Sequence, residues 1–347
     1  MHSARFNSLI AAVLIFAGLL LPLPVRAFDV SQIYSRAELT ADAKRLQTAT
    51  RKIYQLGIVP TLTTKEKHGL GPVEFKFPMP RPGDDLLNFY AYRDENGRSI
   101  VVMPILSLKA LEDLTTAYAW LQVKGLRHST IDLYFAMQRY RSAKDFPGGK
   151  YPPILPALGI PKDGYKHKGV DTLSLSLRNE AIAFILVHEL GHALFRHKGY
   201  RDITKAQARA DEVQSDRFAL DVLARSATPP LGAVLFFQAQ IYLFDHRGQF
   251  ATDEAWNDYL MTVATHPMSV DRISAMADHI SGPLARKRGR EAPIWVGIGE
   301  QLRRVADILR EPVLQRCIAK VAAEAPLSAL KAKANDDRWL LEKICGR

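Results

Sequence analysis

The chain has 347 residues, 47% of them hydrophobic and 24% charged, with a formal net charge of +11. That composition excludes a disordered or low-complexity protein and leaves room for one large domain or two modest ones. The basic residues are scattered rather than gathered into a block, so the charge reads as diffuse and solubilising; it would suit an anionic membrane surface, and no nucleic-acid partner is expected.

In chain order, the first 27 residues are MHSARFNSLIAAVLIFAGLLLPLPVRA. Arg5 precedes an apolar run from Leu9 to Leu21, Pro22 and Pro24 break it, and Val25-Arg26-Ala27 places modest or small residues at the −3 and −1 positions. This is the pattern of a cleavable secretory signal, and the run is short for a bilayer span. The expectation is an exported protein, periplasmic and soluble after cleavage. Residues 29–57 have helical spacing, and 58–85, rich in Pro and Gly, read as loop with short extended pieces. Residues 86–106, LLNFYAYRDENGRSIVVMPIL, put two β-rich runs around Asn96-Gly97, the strongest short-range hairpin signal. Residues 107–123 read as helix. Pro147, Gly148, Gly149, Pro152, Pro153, Pro156, Pro161 and Gly164 make 124–173 an expected insertion or loop layer. From Ser176 onward the pattern is mostly helical, with breaks near Pro229-Pro230 and around 247–254. The division expected is a signal peptide over 1–27, a catalytic domain over 28–285 and a C-terminal helical region over 286–347. Cys317 and Cys345 lack metal-ligand spacing and, in an exported chain, are expected to form a disulfide.

The informative stretch is VHELGHALFRH, from Val187. It lies in a long apolar run without Pro, expected to be a buried helix. Residues four apart share a helix face, so His188 and His192 point the same way, as two ligands of one metal require. Glu189 sits beside them but rotated, where a general base acting on a metal-activated water belongs. Zinc needs a third protein ligand. The segment QARADEVQSDRFALDVLA supplies Glu212 for it and places Asp216 one turn on, able to accept the other ring N–H of a ligating histidine. One Zn²⁺ per chain is the expected cofactor. His197 lies five residues past His192, rotated to another face, and reads as helix-end packing or solvent exposure.

Three segments, HELGHALFRH, DEVQSDRFA and ATHPMSVDRI, together resemble the HtpX and CAAX-prenyl-protease family of gluzincin metallopeptidases. The resemblance implies zinc ligation by His188, His192 and Glu212, with Glu189 as catalytic base, and places His266 and Arg272 near the active site. Arg272 has two readings of equal weight, a donor to the transition-state oxyanion or a structural ion-pair partner. In some soluble family members a histidine matching His266 occupies the open zinc position and holds the enzyme latent. The hairpin of 86–106 resembles a family feature whose edge strand would receive an extended peptide. The implied fold is α+β, a mostly helical zincin-type domain with a small sheet at the cleft edge. The implied function is endopeptidase action on exported or envelope proteins, with peptides or unfolded proteins as substrates and a role in protein quality control.

Rival readings are a regulatory protease of the ImmA/IrrE kind, a latent or non-catalytic zinc-containing binding module or chaperone, and a cell-wall peptide amidase. The signal sequence and the THP…RI segment argue against the first. No G-x-S-x-G elbow and no G-x-x-x-x-G-K-[ST] phosphate loop is present.

Overall fold

The computed structural model describes residues 33–82, 84–199, 202–243, 252, 254–255, 268–331 and 341–345. The expected signal peptide, most of the expected break around 247–254 and His266 lie outside the described residues. The molecule is mostly helical with one small sheet, the α+β architecture expected.

Its axis is a 26-residue helix. In chain order the helices are α1 (Arg36–Lys52), α2 (Thr64–Leu70), α3 (Ile105–Val123), α4 (Ser129–Tyr140), α5 (Ile154–Ala157), α6 (Val170–Phe195), α7 (Lys205–Arg225), α8 (Leu231–Leu243), α9 (Val270–His279), α10 (Ala292–Arg310), α11 (Pro312–Glu324) and α12 (Leu341–Ile344). Helix α6 is the axis, with α3, α7 and α8 packed around it. Every residue from Ala181 to Gly191 is buried, as befits a helix apolar on all sides rather than along one stripe. Two glycines set how closely its neighbours approach. A Cβ on Gly191 would lie 3.2 Å from the Cα of Ser215, so α7 rests almost on the α6 backbone at that point. A Cβ on Gly232 would fall 2.3 Å from the Leu177 carbonyl oxygen, so α8 crosses α6 backbone to backbone.

The sheet runs β1 (Val73–Lys76), β3 (Ser99–Val102), β2 (Tyr90–Arg93), with β1 parallel and β2 antiparallel to β3. The β2–β3 hairpin sits where the Asn-Gly signal put it, paired Tyr90 to Val102 and Arg93 to Ser99. Gly97 takes φ 73°, and the Asp94 carboxylate accepts the backbone N–H of Asn96 and of Arg98, closing the turn. Arg93 fastens β2 to its surroundings. Its guanidinium donates to the backbone carbonyls of Ala193 at the end of α6, of Gly97 in the turn, and of Gly69 in α2.

Two segments are more ordered than their Pro and Gly content suggests. Within 58–85 lies α2, started by a capping box in which Thr63 and Glu66 exchange hydrogen bonds. Within 124–173 lies α4, whose Leu133, Tyr134, Phe135 and Met137 are buried. The helical repeat there is only three turns long, and the proline-rich stretch after it dominates the composition. At the C-terminal end α10 packs against α8 and α9, with Trp295 fully buried beneath the Arg288 guanidinium. Cys317 of α11 is disulfide-bonded to Cys345. Among the described residues, no helix is long and apolar enough to cross a membrane.

Candidate metal centre

His188 and His192 stand one turn apart on the face of α6 that meets α7. Their Nε2 atoms are 3.1 Å apart. Helix α7 begins with Thr204 as its cap and carries Glu212 and Asp216 one turn apart on the face turned to α6. The contact of Gly191 with Ser215 lies between these two pairs, so the missing Cβ is what lets the carboxylates reach the imidazoles. The Glu212 oxygens stand 3.2 Å from His192 Nε2 and 3.5 Å from His188 Nε2. These three side chains converge with one ligand atom each, a group that could hold a metal ion.

The surrounding contacts fix them. Asp216 Oδ1 is 2.8 Å from His188 Nδ1, an arrangement that leaves Nε2 as the nitrogen facing the cluster. Arg272 enters from α9. It donates two hydrogen bonds to the Asp216 carboxylate, at 2.7 and 2.9 Å, and its third nitrogen stands 2.6 Å from Glu212. Its guanidinium also lies over the Phe237 ring at 5.4 Å. His188, Glu212, Asp216 and Arg272 are each at most 5% exposed. Burial pushes the His188 pKa below its ordinary value, only partly offset by Asp216, so its neutral ligand form is favoured. Burial alone would raise the Asp216 carboxyl, but Arg272 and then His188 outweigh it and hold that carboxyl below the usual range.

Glu189, 3% exposed, faces a small cavity of about 20 Å³ that it shares with His188, Phe89, Phe184 and Phe236. The aromatic walls interlock, with Phe184 and Phe237 edge to face at 5.6 Å.

Six of the seven site residues expected from sequence, His188, Glu189, His192, Glu212, Asp216 and Arg272, lie together; the seventh, His266, lies outside the described residues. Arg272 stands as an ion-pair partner of Asp216 and Glu212, the second of its two readings.

His197 packs at the helix end, one of the two places the sequence reading gave it, but on the same side as His192 rather than on another face. Extrapolating α6 puts it on another face, but the helix stops at Phe195. Arg196 takes the left-handed conformation at φ 56°, and the His197 backbone N–H bonds back to the His192 carbonyl at 3.0 Å, closing a Schellman turn. The turn swings His197 Nδ1 to 3.0 Å from His192 Nδ1, with His197 Nε2 3.0 Å from Gln214 Oε1. Such a turn is normally announced by glycine; an arginine in its place leaves no signal in the composition.

With the metal-ligand geometry in place, comparison with known proteins gives one match. Residues 161–288 match the family model of Peptidase U49. The match indicates a peptidase family and is compatible with a metallopeptidase. The matched span runs from the loop before α6 through α9, so it contains every ligand candidate, Asp216, Arg272 and both walls of the centre. The β2–β3 hairpin and helices α10 to α12 lie outside it. No curated protein and no solved structure matches the chain.

Proposed function

We propose that this chain is an exported, zinc-dependent endopeptidase of the gluzincin type, close in character to the HtpX and CAAX-prenyl-protease family, that hydrolyses peptide bonds of unfolded or stalled envelope proteins. The observation that carries the zinc reading is ligand spacing. Zinc with tetrahedral ligands at roughly 2.0–2.1 Å requires neighbouring donors about 3.3 Å apart. Here the two imidazole Nε2 atoms are 3.1 Å apart, the two Glu212 oxygens stand 3.2 Å from His192 and 3.5 Å from His188, and one donor atom from each residue lies within 4.8 Å of the other two. Two imidazoles and one carboxylate, with a coordination position left for water or substrate, form a catalytic rather than a structural set.

Zinc bound there would lower the pKa of water and polarise a scissile carbonyl. The chain's own residues do the rest. Glu189 takes the water proton and returns it to the leaving amine. Asp216 holds His188 in one tautomer. Arg272 holds Asp216 and Glu212 against rotation and offsets part of their charge. The aromatic walls beside Glu189 shield the base from bulk water. Strand β2, which among the described strands pairs only with β3, offers its outer edge to an extended peptide. The Leu9–Leu21 run with its cleavage pattern supports export to the periplasm.

The test is peptide release from an unfolded protein, read by mass spectrometry, for residues 28–347 with and without Glu189→Gln. Peptides from the wild type alone support the proposal, and their termini give the cleavage preference. A folded, zinc-loaded wild type that releases nothing would overturn it in favour of a zinc-holding binding protein.

A further inference from the structure

His188 and His192 do not share one orienting partner. Asp216 faces the outer nitrogen of His188, whereas His192 Nδ1 faces another imidazole, that of His197, at 3.0 Å. His192 turns Nε2 toward His188 and Glu212. An imidazole that ligates through Nε2 carries its proton on Nδ1 and must donate it somewhere. His197 Nδ1 is the atom in reach, so it accepts, and the His197 proton then sits on Nε2. That N–H donates to Gln214 Oε1 at 3.0 Å, with the buried Asp211 carboxylate 3.6 Å away, itself accepting from the Gln207 amide at 2.6 Å. Every member has a donor or acceptor role that agrees with the next.

We infer that His197 is the positioning residue of the ligand His192, the counterpart of Asp216 for His188, brought into place by the left-handed turn at Arg196. The inference rests on the zinc reading above and adds to it a fourth histidine-side contact that touches neither metal nor substrate. The function is orientation. Without His197 the His192 ring loses the partner on its outer nitrogen, and a ligand that must be reoriented binds its metal more weakly.

The experiment is a competitive zinc titration of the full chain carrying His197→Ala, His197→Asn or His197→Gln. The oxygen of Asn falls where His Nδ1 sits and keeps the acceptor for His192 while losing the link to Gln214. The terminal amide of Gln falls where His Nε2 sits and does the reverse. Loss of an orienting partner typically weakens metal binding 10- to 100-fold. The expected order is therefore near-wild-type affinity for His197→Asn and a loss of roughly 10- to 100-fold for His197→Ala and His197→Gln. The unfolding temperature of the zinc-free proteins is measured alongside, and the visible absorption of the cobalt-substituted forms reports ligand geometry. If Gln retains affinity and Asn loses it, His197 only ties α6 to α7, and the inference fails. Equal affinity in all three variants also overturns it. Should His197→Ala not fold, the Asn and Gln pair still decides. A wild type that takes up no zinc removes the metal reading and this inference together, whereas wild-type binding with unaffected variants removes only the inference.

Discussion

Helix α6 carries a polar cluster in each half, and the two differ in composition. Near its N-terminal half, Arg178 meets Glu112, which also binds Arg45, while Lys109 reaches Asp42, Glu112 and Asp113. Three cations face three carboxylates, and Tyr34 adds a hydrogen bond to Asp113. In the C-terminal half, Glu189, Glu212 and Asp216 gather around the imidazoles of His188 and His192, with Arg272 bound to Asp216 and Glu212. The first cluster matches cations to carboxylates one for one. The second instead brings two imidazoles and a carboxylate together as a group that could hold a metal ion. Two clusters of similar residue types thus separate by composition and by burial, the first partly open at Arg45 and Asp42 and the second closed. The first ties α1, α3 and α6 together; the second offers a donor set that could hold a metal ion.

That difference gives experiments of decreasing size. Neutralising Glu189 as Gln should lower peptide release at least about 10²-fold, the scale of a lost general base, with folding and zinc content unchanged; Glu112→Gln should reduce the urea midpoint and leave release per folded molecule unaltered. Equal activity in Glu189→Gln would erase the functional side of the contrast. In zinc-free protein, Arg272→Leu should destabilise by about 3–5 kcal/mol, since it leaves buried carboxylates without their cation. Arg178→Leu should cost about 1 kcal/mol, because Arg45 and Lys109 remain on Glu112. Urea unfolding of both variants checks the ratio. Zinc at 100 times its Kd should stabilise the wild type by about 2.7 kcal/mol, an increment that Glu212→Gln removes and Glu112→Gln keeps.

The acid side distinguishes the halves again. His188 is held below its usual value of 6.5 by burial. As pH falls below 6.5 the unfolded chain takes up a proton that the folded zinc-free chain refuses, and stability declines. For Glu112, burial pushes the carboxyl up, but Arg45, Lys109 and Arg178 outweigh it and hold it below 4.5. Its contribution is full above pH 4.5 and is lost as pH falls through the lower folded value. Urea midpoints measured from pH 7 to 3 should show two steps, the upper one absent in His188→Gln. A single step near pH 4 would mean that the metal half contributes no histidine of this kind.

What was legible in the sequence follows the range of each interaction. His188 with His192, and Glu212 with Asp216, are pairs at helical spacing, and the hairpin turn is a five-residue event; local rules found all three. The partnership of Arg272 with Asp216 spans 56 residues, and its location near the centre came from a resemblance while its bonding did not. The parallel pairing of β1 with β3 depends on a crossover that no pattern within β1 announces. Helix α4 was hidden by the prolines that follow it, and α2 by the glycines around it, although its Thr63–Glu66 box was readable. His197 was misplaced because a helix was extended through a residue where the chain turns left-handed.

Arg93 gives the molecule a ruler. Because one guanidinium fastens β2 to the carbonyl of Ala193, one residue beyond His192, each position along that strand stands at a fixed distance from the centre, in steps of about 3.3 Å. Under the proposed peptidase reading, an extended peptide added to that edge would be cut at a position set by its length as much as by side-chain identity.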